Sequence, residues 1–233
     1  MLPFAISSPD RLELVAQLKI YDISRPLSKS TPVWPGDAPF RYTMNLRMAA
    51  GASVNLGSFC TTAHVGTHAD APLHFDDGAL PISELDLSAY IGPAVVIDVA
   101  GRSIIHVEDI AHEALESAPR LLLRTGAWLD AETFPQSIPV IANDVPEFLK
   151  SKGVVLLGVD VPSVDSLESK DLPNHHGLHA NRIRILESLF LDDVAPGIYE
   201  LVALPLKLEG ADGSPVRAIL RTLPESGRDS HRG

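Results

Sequence analysis

From Tyr21 onward the apolar residues fall in short runs broken by Gly, Pro, Asn and Asp. Tyr42–Met48, Val54–Thr61, Ala94–Val99, Arg120–Arg124, Val154–Val159, Tyr199–Leu208 and Val216–Leu223 each read as a strand bounded by turn residues. A helical period is rarer and predicts helices over Val107–Leu115, Val145–Lys150 and Ala180–Leu189. Strands and helices do not alternate in a regular βαβ series, so the expected architecture is a mixed, strand-rich α/β domain. No repeat and no linker-like shift of composition interrupts residues 19–224, which read as one domain. Residues 1–18 read as an appendage, with a helix start at Ser8-Pro9-Asp10 and an apolar stripe of Leu12, Leu14, Val15 and Leu18 behind it. Residues 225–233 read as a polar, disordered tail.

Composition narrows the function classes. The chain of 233 residues is 45% hydrophobic and 21% charged, as expected of a soluble globular protein with a substantial core. Its net charge of −11, with no cluster of Lys and Arg, argues against a nucleic-acid partner. Cys60 is the one cysteine, so no intrachain disulfide is possible and a reducing compartment is expected. Between Phe59 and Thr61 in a strand-like run, it reads as a small buried hydrophobe rather than a nucleophile. No basic flank precedes an apolar stretch at the N-terminus, and nowhere do eighteen apolar residues run together. The expectation is a cytoplasmic protein without membrane contact.

Three imidazoles and a carboxylate fall within the eleven residues His64-Val65-Gly66-Thr67-His68-Ala69-Asp70-Ala71-Pro72-Leu73-His74. Their nitrogen and oxygen donors suit zinc and related divalent metals. On a helix, His64 and His68 would share a face but Asp70 and His74 would not, and Gly66 and Pro72 disfavour a helix interior. On a straight strand all four would point the same way. His64 and His68 would then lie about 13 Å apart, too far to share one ion. The chain must bend between them. Gly66 is the residue able to take an unusual backbone conformation, and Pro72 fixes φ just after the carboxylate. Val65 stands where the H-E-x-x-H zinc motif needs Glu, so this is a loop-borne site of another kind. Histidines that only cap turns are the plainer alternative, which four potential ligands around a Gly and a Pro disfavour.

A second cluster runs from Asn174-His175-His176 to Arg184-Ile185-Leu186-Glu187. Glu187 shares an apolar setting with Ile183, Leu186 and Leu189, where a carboxylate is costly unless it is paired or coordinates a cation. Spacing leaves both a metal role and a salt bridge to Arg182 or Arg184 open. Asp160, at the end of an apolar strand, is either an outer partner of a ligating His or a turn former before Val161-Pro162. His106 and His112 flank a predicted surface helix and read as solvated.

The set His64-x3-His68-x-Asp70-x-Pro72-x-His74 resembles the signature of the cyclase-like metal hydrolases. The likeness extends through Tyr21-Asp22-Ile23-Ser24, Thr31-Pro32-Val33-Trp34-Pro35-Gly36-Asp37, Gly158–Asp165, His175–Glu187 and Ala203–Leu208. Over that span, about residues 20–223, the chain is similar to the bacterial kynurenine formamidases (arylformamidases). The resemblance implies a cyclase-like fold of the swivelling β/β/α type, generally a homodimer, with two zinc ions per subunit. It assigns His64, His68 and Asp70 to one metal, with Asp70 bridging to a second that His175 and Glu187 complete. His175 is preferred to His176 because it stands twelve residues before Glu187, the family's separation. His74 would carry the proton and Trp34 would contact the aromatic part of the substrate; by itself, Trp34 fits core packing equally well.

The implied reaction is metal-dependent hydrolysis of an aromatic formamide, N-formyl-L-kynurenine, to L-kynurenine and formate in tryptophan degradation. The chain has no G-x-S-x-G elbow, which argues against the serine-hydrolase route. A related alternative is hydrolysis of a cyclic amide or lactone such as isatin. An alternative of another class is a non-catalytic metal-binding protein.

Overall fold

The aliphatic runs meet in one nine-stranded sheet in the structure, a computed structural model that describes residues 18–130 and 132–223. In chain order the strands are β1 (Ile20–Asp22), β2 (Arg41–Leu46), β3 (Leu56–Cys60), β4 (His68–Asp70), β5 (Ile91–Asp98), β6 (Ile104–Ile105) and β7 (Arg120–Arg124). They continue with β8 (Val140–Ile141), β9 (Leu156–Val159), β10 (Arg184–Glu187), β11 (Gly197–Val202), β12 (Gly213–Pro215) and β13 (Ile219–Thr222). The sheet order is β1-β13-β11-β5-β7-β9-β10-β4-β12, with small separate pairs β2-β3 and β6-β8.

The centre of the sheet, β5-β7-β9-β10, is parallel, and antiparallel strands finish both sides. Period-two alternation sends neighbouring side chains to opposite faces, and both faces are covered. Val95, Leu121, Leu123, Leu157 and Ile185 enter one core with Leu149 of the helix Val145–Ser151 and Leu178 of the helix Pro173–Ala180. Val96, Leu122, Leu156 and Leu186 enter the other with Ile23, Tyr90 and Leu201. Among the described residues no helix is long and apolar enough to cross a membrane.

Three expectations about elements need correction. Ala180–Leu189 is not a helix: the helix Pro173–Ala180 ends where that one was to begin, and β10 follows. A strand buried on both faces is nearly continuous in apolar residues, so its period cannot be told from that of a buried helix. Arg182 (φ 60) and Ser188 (φ 58) break the chain on either side of β10. Val107–Leu115 divides into a helix Val107–Ile110 and a 3-10 turn Glu113–Glu116, because Ala111 leaves helical geometry (ψ 88). His106 and His112 stand exposed before these two turns, and the His112 Nδ1 accepts the Ala114 N–H at 3.0 Å. Third, Cys60 is exposed. The pair β2-β3 lies off the main sheet and leaves Tyr42, Leu46, Leu56 and Phe59 uncovered as well. The predicted helix of the appendage up to residue 17 and the polar tail lie outside the described residues.

Candidate metal centre

The edge β10-β4-β12 builds the site. Its register sets Glu187 opposite His68 and Gly213 opposite Asp70 on one face, while Leu186 and Ala69 face the core together. The bend demanded by strand geometry lies at Gly66, whose φ of +56 turns the chain so that the His64 and His68 rings come within 5.0 Å. The Gly66 carbonyl then takes the His68 Nδ1–H at 2.8 Å, which leaves Nε2 facing Asp70 Oδ1 (3.3 Å) and Glu187 Oε2 (3.4 Å). His64 Nδ1 approaches Asp70 Oδ1 at 3.0 Å. Thr67, between the two histidines, points elsewhere: its hydroxyl accepts the Arg25 N–H and donates to the Ser188 carbonyl. Pro72 opens a 3-10 turn, Pro72–His74, that carries the His74 ring to 3.9 Å from the His64 ring.

A second set meets the first at Asp70. His175 Nε2 lies 3.4 Å from both Asp70 Oδ2 and Glu187 Oε1. The other nitrogen of His175 donates to Asp165 Oδ2 at 2.7 Å, and Glu187 Oε1 also accepts the Val164 N–H at 2.9 Å. His64/His68/Asp70 and Asp70/His175/Glu187 are therefore two triads sharing one carboxylate, each compact enough to hold a cation. His176 is exposed and packs on Phe75 instead.

The electrostatics favour cations. Burial alone would lower the histidine pKa values, yet carboxylate partners push His64 up to about 9, His68 to about 10 and His175 to about 12. Burial would raise Asp70, but His175, His64 and His68 hold it well below the usual carboxylate range. His68 Nε2 and Asp70 Oδ2 are buried with no hydrogen-bond partner. Buried polar atoms without partners are costly, and divalent ions held by the two triads would supply the missing partners, so the residues fit the group. His74 behaves differently: burial first, and then the charge of His64, lower its pKa.

The centre floors a cavity of about 260 Å³ whose walls include Trp34, Trp128 and Phe134. Trp34 packs edge-on against Phe134 at 5.4 Å, and Trp128 lies 6.1 Å from the same ring. The Arg25 guanidinium stacks 3.9 Å over Trp128 and donates to its carbonyl, which fixes that wall. The turn Trp34–Asp37, closed by the Asp37 N–H on the Trp34 carbonyl at 2.9 Å, brings both side chains to the cavity.

The Cyclase family model matches residues 21–166. The chain belongs to the cyclase family. A kynurenine formamidase of Geobacillus thermodenitrificans is 50% identical over 202 residues, 87% of this chain and 97% of the relative. Among solved structures, a predicted metal-dependent hydrolase from Bacillus stearothermophilus superposes with a TM-score of 0.75 at 28% identity, covering 88% of this chain and 99% of its own. Isatin hydrolase A from Ralstonia solanacearum has the same fold (TM-score 0.78, 23% identity, 96% and 99% coverage). The mixed, strand-rich cyclase fold expected from the resemblance is the fold of the chain.

Within this cyclase site the structure adds residues that motif spacing missed. Asp165, not Asp160, is the outer partner of a candidate ligand; Asp160 instead accepts the Thr125 and Gly126 N–H groups of the distant segment that follows β7. Asp165 was legible only as the last residue of Gly158–Asp165, with nothing to tie it to His175 ten positions on. Asp212 is the other. Its Oδ2 lies 3.1 Å from His64 Nε2 and 3.5 Å from His74 Nδ1, and His64 holds its pKa down at about 2. Gly213 makes room beside it, since a Cβ there would stand 2.8 Å from His64 Cε1. The sequence signal was faint: an acid between small residues in Gly210-Ala211-Asp212-Gly213.

Proposed function

We propose that the chain is a divalent-metal amide hydrolase that cleaves N-formyl-L-kynurenine to L-kynurenine and formate in tryptophan degradation. The observation that carries this reading is the pair of triads sharing Asp70 beneath an aromatic-walled cavity, in a chain 50% identical to a kynurenine formamidase. We assign His64, His68 and Asp70 to one zinc ion and Asp70, His175 and Glu187 to a second. Two divalent cations held there supply Lewis acidity to the formyl oxygen and a water acidified toward neutral pH.

The protein's own residues do the rest. His74, kept neutral by burial, takes a proton from the attacking water. It returns that proton to the aniline nitrogen as the C–N bond breaks. Trp34, Trp128 and Phe134 hold the substrate ring flat against the wall. Among the described residues, Asp37 is the one carboxylate lining the cavity outside the two triads and no Lys or Arg lines it, which suits the α-ammonium of an amino-acid side arm.

We further place residues 19–224 as the catalytic domain of a cytoplasmic homodimer. The uncovered apolar hairpin β2-β3, with Tyr42, Leu46, Leu56 and Phe59 exposed, supports a second copy as its cover. Light scattering of the pure protein checks the dimer. For the function, metal analysis is paired with turnover of N-formylkynurenine and isatin before and after chelation. Chelation-sensitive turnover of the formamide in preference to isatin is expected; turnover of isatin alone transfers the site to cyclic amides. A non-catalytic metal-binding role is sunk if His74→Ala abolishes hydrolysis with the metal retained.

A further inference from the structure

We propose that Asp212 is the positioning residue of the proton carrier, holding His74 in the tautomer and orientation that deliver a proton to the leaving nitrogen. The inference rests on the amide-hydrolase reading above and adds a residue to it. Among the described residues, Asp212 is the one carboxylate within 4 Å of a His74 ring nitrogen. At 3.5 Å the pair is a loose contact; the Asp212 side chain is 47% exposed and has room to turn, and in the proposed arrangement it closes on His74 as a hydrogen bond. A carboxylate only accepts, so His74 Nδ1 must be the donor and its Nε2 is left bare for proton transfer.

The same oxygen accepts from His64 Nε2 at 3.1 Å, which turns the His64 Nδ1 lone pair toward Asp70. One side chain therefore sets the tautomer of a candidate ligand and of the proton carrier, whose rings lie 3.9 Å apart. The backbone anchors the main chain of Asp212. The Asp212 carbonyl accepts the Ala71 N–H at 2.9 Å, and the next residue, Gly213, pairs with Asp70 on the edge that carries the site. His64, His74 and Asp212 are also close enough to hold a cation. His64 cannot serve that trio and the His68/Asp70 triad at once without losing its ring proton, so a hydrogen-bond relay accounts for the cluster more simply.

The test compares the zinc-loaded wild type with Asp212→Asn, an isosteric change at a half-exposed position, on formanilides of graded leaving-group basicity. Proton delivery matters most for the poorest leaving group. The variant is expected to lose about tenfold to hundredfold in kcat on unsubstituted formanilide, part of the ~10²–10⁴ that a positioned acid-base group contributes. It should lose little on 4-nitroformanilide, with KM unchanged and full metal content. Equal losses across the series, or loss of metal, would overturn the proposal, because Asp212 would then act through the metal ligands alone. A second readout needs no turnover: nitrogen-15 NMR of the same zinc-loaded proteins should show His74 as the Nδ1–H tautomer in the wild type and a mixture in the variant. An unchanged His74 tautomer also overturns it. If the wild type hydrolyses no formanilide, the amide-hydrolase reading fails, and the NMR result still judges the tautomer assignment.

Discussion

Asp165→Asn should weaken one metal site and largely spare the other. Asp165 is buried, and its two oxygens accept three N–H groups: Asn174 N at 2.9 Å, His175 N at 3.1 Å and His175 Nδ1 at 2.7 Å. An asparagine of the same shape offers one accepting oxygen, so its amide hydrogens must face at least one of these donors. The lost bonds involve a charged acceptor, each worth about 1.5–3 kcal/mol. Part of that falls on the start of the helix Pro173–Ala180, and part on the orientation of His175. Loss of an outer partner of this type weakens metal binding by about 10–100-fold. The assay is competition of metal-free protein with a chromogenic chelator, read as two separate affinities. The His64/His68/Asp70 site should keep most of its affinity, because Asp165 reaches it only through His175 and the shared Asp70. Unchanged binding at both sites would refute the reasoning, as would an equal loss at both. A thermal melt of the metal-free variant guards against simple unfolding.

Three further outcomes are expected. His74→Ala should lower kcat by about 10²–10⁴ with metal content intact, checked by turnover beside metal analysis. Because burial lowers the His74 pKa, its neutral form persists to lower pH, so the acid limb of the rate profile should fall below 6.5; a midpoint above 6.5 would contradict this. Gly213→Ala places a Cβ 2.8 Å from His64 Cε1 and 3.1 Å from the Ala69 carbonyl, so metal analysis should find weakened occupancy of the His64 site. Trp34→Ala should raise KM for an aromatic formamide about 3–10-fold, the equivalent of ~0.5–1.5 kcal/mol for a lost aromatic contact, with a smaller change in kcat.

The parts of the molecule legible in the sequence are those where geometry leaves few solutions. Even spacing of His64, His68 and Asp70, with the span of a straight strand between the two histidines, demanded a bend, and Gly66 supplies it with φ +56. Strands of the sheet centre such as β7 and β9 followed from aliphatic runs with turn residues at their ends. β10 did not, since Ile183, Ile185, Leu186 and Leu189 satisfy a helical period as well as a doubly buried strand. Consequently the apolar surroundings of Glu187 were right and the helix beneath it was wrong. Asp165 and Asp212 were out of reach because their partners lie on other elements (His175 on the helix Pro173–Ala180, His64 ahead of β4, His74 in the turn Pro72–His74), and only the fold brings them together. Exposure of Cys60 was hidden because the apolar content of a hairpin does not say whether the same chain covers it.

The pairing of Glu187 with His68 also imposes an order of events on the newborn chain. Segments that emerge from the ribosome over a hundred residues apart must find one another before the second triad exists, whereas His64, His68 and Asp70 emerge together. Closing such a long loop costs entropy before any ligand bond repays it. A cation in the second triad therefore arrives late, on a sheet already zipped, and acts as a latch rather than as a nucleus. A latch of that kind slows opening without hastening assembly. Starving cells of metal would then leave folded, short-lived protein instead of chains that never fold.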